Sequence, residues 1–346
     1  MPTVHATELD SASASIARPR VRVVRRPVHG VLLLDKPLGL SSNDALQKAK
    51  WLLRAEKAGH TGTLDPMATG LLPLCFGAAT KFSQVSLEAD KRYEAVVQLG
   101  VRTDTGDAEG SVLERRPVRH TQRDLETAVQ ALSGEIEQIP PMHSALKKDG
   151  RALYEYARQG LVVERDARRV MIHELRVVPD PESESRLRAS IRCSKGTYIR
   201  TLAEDLGEHL GCGGSLVALR RTDSGGLQVA QAVSLQALEA MSEAQRLSCL
   251  LPVDALLSHW PAVHLTESDA SRFLSGMRRT IPGGPIGAAP EAPSQPSQAA
   301  TRVRVYGPVS DRPVLLGSAR LIGRELIPER LLSPVEIQAI GECSGT

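Results

Sequence analysis

Aromatic side chains are scarce in this chain, 3% of 346 residues: five tyrosines, three phenylalanines and two tryptophans. Each of them therefore has to be asked whether it packs or works. The five cysteines, at 75, 193, 212, 249 and 343, are scattered, odd in number and without a CxxC pair. That excludes a disulfide framework and a zinc ribbon, and it points to a reducing cytosol, so a cytoplasmic location is expected. No apolar run approaches the roughly 20 residues of a membrane span. The N-terminal stretch has no apolar core ahead of its arginines, so residues 1–27 read as a flexible basic arm and not as a secretory signal. HExxH, GxxxxGK[ST] and GxGxxG are all missing, and the nine histidines have no ligand spacing. Metal and nucleotide sites are thus unsupported, and a chain that works without a cofactor is expected.

What is present is 41% hydrophobic residues, enough for a sizeable core. A chain of 346 residues exceeds what one core usually serves, so a large domain and a smaller one are expected. A net charge of +3 with a pI near 8.6 suits a polyanionic partner without demanding one.

Residues 29–34 (HGVLLL) read as a buried strand. Ser41-x-x-Asp44 then opens a helix with apolar Ala45, Leu46, Ala49, Leu52 and Leu53 at helical spacing. The segment 57–70 reads as a loop, 92–100 as a strand, and Thr121-x-x-Asp124 as the cap of a helix stopping near Gly134. Leu187, Ala189, Ile191 and Cys193 alternate with polar residues in a strand over 186–194, and Ile199, Leu202, Ala203, Leu206 and Leu210 mark the helix after it. Strands and helices mix without a regular βαβ rhythm, so an α+β domain with a largely antiparallel sheet is expected. From about residue 250 the pattern changes to a short helix (267–276) and strand-like 303–306 and 314–322, a small β-rich module. Between them, 282–300 is too rich in Pro, Ala, Ser and Gln to bury a core and reads as a disordered insertion.

The stretch GHTGTLDPMATG (59–70) puts Asp65, His60 and two threonines in a loop whose glycines let backbone approach a ligand. Asp65-Pro66 is equally a turn that starts a helix. By residue type alone, Tyr93 and Leu219 belong to a core, His60 to a polar loop, and Tyr198 and Arg200 to a helix start where one packs and one is solvated.

GHTGTLDPMATGLLPL (59–74) resembles the signature of the bacterial tRNA pseudouridine synthase B family. So do, in order, LLLDKPLGLSS (32–42), GAATKFSQ (77–84), KRYEAVVQLGVRTDTGDAEG (91–110), PPMHSALKKDGRALYEYARQG (140–160), CSKGTYIRTLAEDLGE (193–208) and LVALRRTDSG (216–225). The resemblance covers nearly all of 28–260. It implies isomerisation of uridine to pseudouridine at position 55 in the T-loop of transfer RNA, without a cofactor, by a protein of the pseudouridine synthase fold.

It further implies that Asp65 is the catalytic carboxylate, acting as nucleophile or as base, two routes that want the same anion. A uridine in a stacked loop must be flipped out, and Tyr93 is then the flat platform for the base. His60 sits against the RNA, Tyr198 and Leu219 by the uracil, and Arg200 pairs with Asp65. That pairing is expected to hold the carboxyl below its usual value near 3.9. Lys36 is expected to meet phosphate, Pro37 to shape the pocket floor, and Arg220, Arg221, Lys147 and Lys148 are candidate phosphate contacts. The resemblance implies a catalytic domain over 28–257, a PUA-like RNA-binding domain over 258–334 and a tail over 335–346. The partner is the T-arm of tRNA, with no membrane, no metal and no obligate protein partner, and the protein is expected to be a monomer.

Two rivals come from different classes. Asp104-Thr105-Gly106 and Asp223-Ser224-Gly225 mimic the paired signatures of aspartic proteases, which need two carboxylates sharing a proton. An RNA-binding protein without catalysis is the other.

Overall fold

The computed structural model describes residues 24–281, 300–309 and 312–343. The expected insertion over 282–300 lies outside these residues except for position 300, as do 1–23 of the expected arm and 344–346 of the expected tail.

Strand β1 (Gly30–Lys36) turns at Pro37–Leu40 into helix α1 (Ser42–Leu52). Ser41 caps that helix by accepting the Asp44 N–H, and Ala45, Leu46, Ala49 and Leu52 face the core. Then come β2 (Ala58–His60), β3 (Ala68–Phe76), β4 (Lys91–Leu99), α2 (Gln122–Ala131), β5 (Gly134–Gln138), β6 (Arg168–Asp180), β7 (Ser183–Cys193), α3 (Ile199–His209), β8 (Gly214–Ser224) and β9 (Val233–Ser234). The main sheet runs β9-β1-β3-β8-β4-β7-β6-β5. Only β1 with β9 and β3 with β8 pair in parallel along this path, so the sheet is largely antiparallel, as expected.

The segment 57–70 is not all loop. Ala58–His60 pairs antiparallel with Leu74–Phe76, and β3 begins at Ala68, which leaves residues 61–67 as the loop proper. A three-residue strand carries too little alternation to be read from sequence.

The apolar run in β1 is continuous because both faces of the strand are covered. Leu32 and Leu34 join the core beneath α1, with Leu72, Leu74 and Ile191. Val31 and Leu33 point the other way, into a second core shared with Leu71, Cys75, Phe82, Phe273 and Val303. That second core belongs to the C-terminal module: β10 (Ala262–His264), α4 (Glu267–Leu274), β11 (Arg279–Thr280), β12 (Thr301–Val309), β13 (Arg312–Ile322), β14 (Glu325–Leu331) and α5 (Pro334–Cys343), with sheet order β10-β12-β13-β14-β11. Across the junction the Lys81 ammonium donates to the Leu331 carbonyl at 2.9 Å and to Glu336 at 2.6 Å. Residues 335–343, expected as a tail, continue a helix whose Ile337 is buried in this core.

Candidate active site

The loop 61–67 is held open beside the sheet by three anchors. Ser42 Oγ donates to the Leu64 carbonyl and accepts the Leu64 N–H, the Ala68 N–H donates to the Asp65 carbonyl, and Gly62 offers its carbonyl to Arg221. Gly70, at φ +99°, then lets β3 run against β8: a Cβ there would fall 2.3 Å from the Arg221 carbonyl oxygen.

Asp65 so placed opens into a cleft of about 340 Å³, a size that suits one nucleoside and not a duplex. Tyr93 from β4, Tyr198 and Arg200 from the start of α3, and Leu219 and Arg221 from β8 line the same cleft. Four segments far apart in the chain thus converge on one carboxylate.

Arg200 is only 5% exposed and meets the Asp65 carboxylate at 2.9 Å. Its other contacts fix the guanidinium plane: the Thr105 carbonyl at 2.9 Å, the His143 carbonyl at 2.7 Å and the Asp107 carboxylate at 3.7 Å. Asp107 is itself locked by the Thr105 hydroxyl at 2.6 Å and the Glu109 N–H at 3.1 Å. The expectation that Arg200 would hold the Asp65 carboxyl below its usual value is overturned. Burial pushes it up and outweighs Arg200, and the Asp107 charge adds to the rise. The arginine offsets a desolvation cost that sequence does not reveal.

Tyr198 stands at the N-cap of α3. Gln138 at the end of β5 grips its backbone twice, accepting the Tyr198 N–H at 3.0 Å and donating to its carbonyl at 3.3 Å. Tyr93 is half-buried on β4 with the Arg221 guanidinium beside its phenol, and burial raises the pKa of both tyrosines. Leu219 pairs with Ala68 on β3 and Ala95 on β4, which seats it between the Asp65 loop and the Tyr93 strand.

Residues 50–199 match the family described as TruB family pseudouridylate synthase (N terminal domain), and residues 200–258 match the tRNA pseudouridylate synthase B C-terminal domain. A tRNA pseudouridine synthase B of Verminephrobacter eiseniae (strain EF01-2) is 56% identical over 326 residues, 93% of this chain and 94% of its own length. The protein of the same name from Ralstonia nicotianae (strain ATCC BAA-1114 / GMI1000) is 59% identical over 311 residues, 89% and 95% of the two chains. The chain belongs to the TruB family of pseudouridylate synthases. Its fold is also that of a chain in the crystal structure of a Cbf5-Nop10-Gar1 complex, at 24% identity and a TM-score of 0.65 over 89% of this chain and 86% of that one.

Not every residue singled out from the sequence reaches the cleft of this TruB-family enzyme. His60 ends β2 and is absent from the cleft lining; burial, helped by Arg221, lowers its pKa, so it is a neutral imidazole. Lys36 does not meet phosphate. It is 0% exposed, turned inward by the strand, and its ammonium donates to the Pro37 carbonyl at 2.9 Å and the Leu40 carbonyl at 2.6 Å. Pro37 is exposed and lines a different depression, beside Asp35, Lys48 and Arg220, so it does not form the floor under Asp65. Arg220 is engaged by both oxygens of Asp35 at 3.0 and 2.7 Å, and Arg221 is buried. Lys147 and Lys148 alone of that set are exposed, on a hairpin with 151–152.

The sequence reading missed Lys91, Asp107 and Gln138 as contributors. Lys91 and Asp107 stand inside quoted motifs, KRYEA and TDTGD, and their burial at charged positions is the signal that only the fold supplies. The protease-like aspartates are spent on their own turns: Asp104 Oδ1 accepts the Ser111 N–H at 2.8 Å and Asp223 Oδ1 the Gly226 N–H at 3.2 Å. No shared-proton dyad is built from them. Among the described residues no group of three or more His, Cys, Asp or Glu is arranged to hold a metal ion, and no helix is long and apolar enough to cross a membrane.

Proposed function

We propose that this cleft isomerises uridine to pseudouridine at position 55 in the T-loop of tRNA, with Asp65 as the ionised carboxylate beside the ribose. The single observation that carries the reading is the Asp65–Arg200 pair at 2.9 Å on the floor of a nucleoside-sized cleft walled by two tyrosines. Isomerisation moves no electrons or groups in or out of the substrate, so the chemistry asks for no carrier. It asks for an anion at the sugar and a surface on which a detached base can turn. Asp65 supplies the first as nucleophile or base. Tyr93, Tyr198 and Leu219 supply the second, the aromatic faces taking a base pulled from its stack.

His60, at the edge of the Asp65 loop, is assigned to the opened RNA loop outside the cleft. The exposed hairpin of Lys147 and Lys148 and the C-terminal module, read as PUA-like, are assigned to holding the tRNA arm. Phosphate contacts of this kind weaken as salt rises. The enzyme is read as a cytoplasmic monomer that needs tRNA and no protein partner.

The test is Asp65→Asn incubated with a T-loop stem-loop, followed by mass-spectrometric mapping of pseudouridine. Lost modification with retained RNA binding is the expected result. Unchanged modification would overturn the assignment, and the same assay on the wild-type protein separates an enzyme from a binding protein.

A further inference from the structure

The reaction leaves two cleft-lining cations without a task. Arg221 is 1% exposed and Lys91 is 6% exposed, and both face the same cleft as Asp65. Neither forms an ion pair with any described carboxylate. Arg221 donates through Nε to the Leu71 carbonyl at 2.8 Å and through Nη2 to the Gly62 carbonyl at 3.0 Å. Lys91 gives its ammonium hydrogens to the carbonyls of Ser86, Leu87 and Ala89 at 3.2, 2.8 and 2.5 Å. Arg200, by contrast, is neutralised by Asp65 and Asp107. Buried cations without a carboxylate partner are costly, and they put a positive field into the space they face.

The strand pairing aims that field. Arg221 on β8 lies directly across from Tyr93 on β4, and Lys91 lies one alternation further along β4, opposite Ser224. The two cations therefore flank the tyrosine proposed to carry the base.

In the isomerisation the C1′–N1 bond breaks and its electron pair stays with the base. The base turns, C5 forms the new bond to C1′, the C5 proton is given up and N1 takes one. No atom is gained or lost, but while detached the base is an anion. We propose that Arg221 and Lys91 stabilise this detached uracil anion, fixing its negative charge beside Tyr93 while Asp65 serves the sugar. This rests on the reading that the cleft isomerises uridine. Lys91, its hydrogens already committed, acts by charge alone, and Arg221 by charge and by holding the Tyr93 phenol. Fixed positive charge in a water-poor site is worth far more here than it would be in solvent.

The test is single-turnover kinetics of wild type, Lys91→Met, Lys91→Arg and Arg221→Lys on tRNA bearing either uridine or 5-fluorouridine at the target position, followed as loss of the starting nucleoside because a 5-fluoro base has no C5 proton to give up. Fluorine makes the departing base a more stable anion, which needs less help. Lys91→Met is expected to lose roughly 10²-fold in rate on uridine while keeping tRNA affinity, to lose less on 5-fluorouridine, and to be rescued by Lys91→Arg. Arg221→Lys keeps the charge but not the rigid plane that serves the Leu71 and Gly62 carbonyls and the Tyr93 phenol, so it is expected to lose rate on both bases and to lose less on 5-fluorouridine. Equal losses on the two bases, a failed rescue, or a loss of affinity with the rate intact would overturn the proposal.

If Lys91→Met does not fold, the pH profiles of wild type and Lys91→Arg decide. Burial lowers the Lys91 ammonium to about 8, with Arg221 on β8 and Lys195 beyond β7 adding to the fall, and with Cys193 on β7 and Asp90 beside it opposing. Wild type should lose rate above about pH 8 as this charge disappears, and Lys91→Arg should not. An alkaline fall that survives in Lys91→Arg sinks the idea. Wild-type protein that makes no pseudouridine would instead fail the underlying reading, so the two failures are distinguishable.

Discussion

Arg221 lies directly across the β4–β8 pairing from Tyr93, and the same row continues through Gly70 on β3 to Lys36 on β1. Four strands thus bring an aromatic ring, two buried cations and a glycine into one line beside the Asp65 loop. The glycine is what allows the strands to close, and the cations give the row its charge.

At the Asp65–Arg200 pair, Arg200→Lys keeps the charge but cannot serve a carboxylate and the Thr105 and His143 carbonyls from one rigid plane. The single-turnover rate of pseudouridine formation is expected to fall roughly 10²-fold, the size of losing one preorganised donor. Filter binding of tRNA should change little. A lysine variant with wild-type rate would show that charge alone suffices.

The direction of the Asp65 shift fixes where activity fails in acid. Its carboxyl is raised by burial against the pull of Arg200, so protonation sets in at a higher pH than for an ordinary aspartate. With the Asp65 anion as the proposed reactive form, the rate falls as pH drops through that raised value. The acid limb of the single-turnover profile should lie above about pH 4, the ordinary aspartate range. A profile flat down to that pH would contradict this.

Lys36 makes the opposite prediction for stability. Burial lowers its ammonium from 10.5 to about 8. Between those two values the unfolded chain holds a proton that the folded chain has released, so raising the pH favours the fold. Compared with Lys36→Met, wild type should gain up to about 3 kcal/mol across that window, and below pH 8 the difference should stay constant. Urea unfolding of the two proteins as a function of pH measures it, and parallel curves would refute it.

Gly70→Ala should be poorly tolerated. Its φ of +99° is one that side chains avoid, and the new Cβ would meet the Arg221 carbonyl at 2.3 Å. Backbone cannot yield as a flexible side chain does. A loss of at least about 2 kcal/mol in urea unfolding is expected, with reduced activity because Asp65 and Arg221 are then displaced together. A variant as stable as wild type would mean the strands part easily.

Much of this was legible before any coordinates. The cap Ser41-x-x-Asp44, the box at Thr121 and the alternation over 186–194 each act locally, so the expected elements stand where spacing put them. Asp65, Tyr93, Tyr198, Arg200 and Leu219 meet in one cleft because their motifs were long enough to carry a resemblance. Lys36 and Arg220 went elsewhere because a charged side chain's direction depends on strand parity and on partners, as Arg220 shows by pairing with Asp35, 185 residues before it. The rise in the Asp65 pKa was hidden for the same reason: desolvation is a property of the assembled cleft. The pairing with Arg200 came from the motifs, and the burial around it did not.

The parallel pairing of residues 68–70 with 219–221 joins stretches about 150 positions apart. During synthesis the Asp65 loop emerges long before Arg200, Leu219 and Arg221 exist. A growing chain therefore carries Asp65 through the synthesis of about 150 further residues before the wall of its cleft can close. The cleft therefore cannot assemble until β8 (Gly214–Ser224) has been made and slotted between β3 and β4.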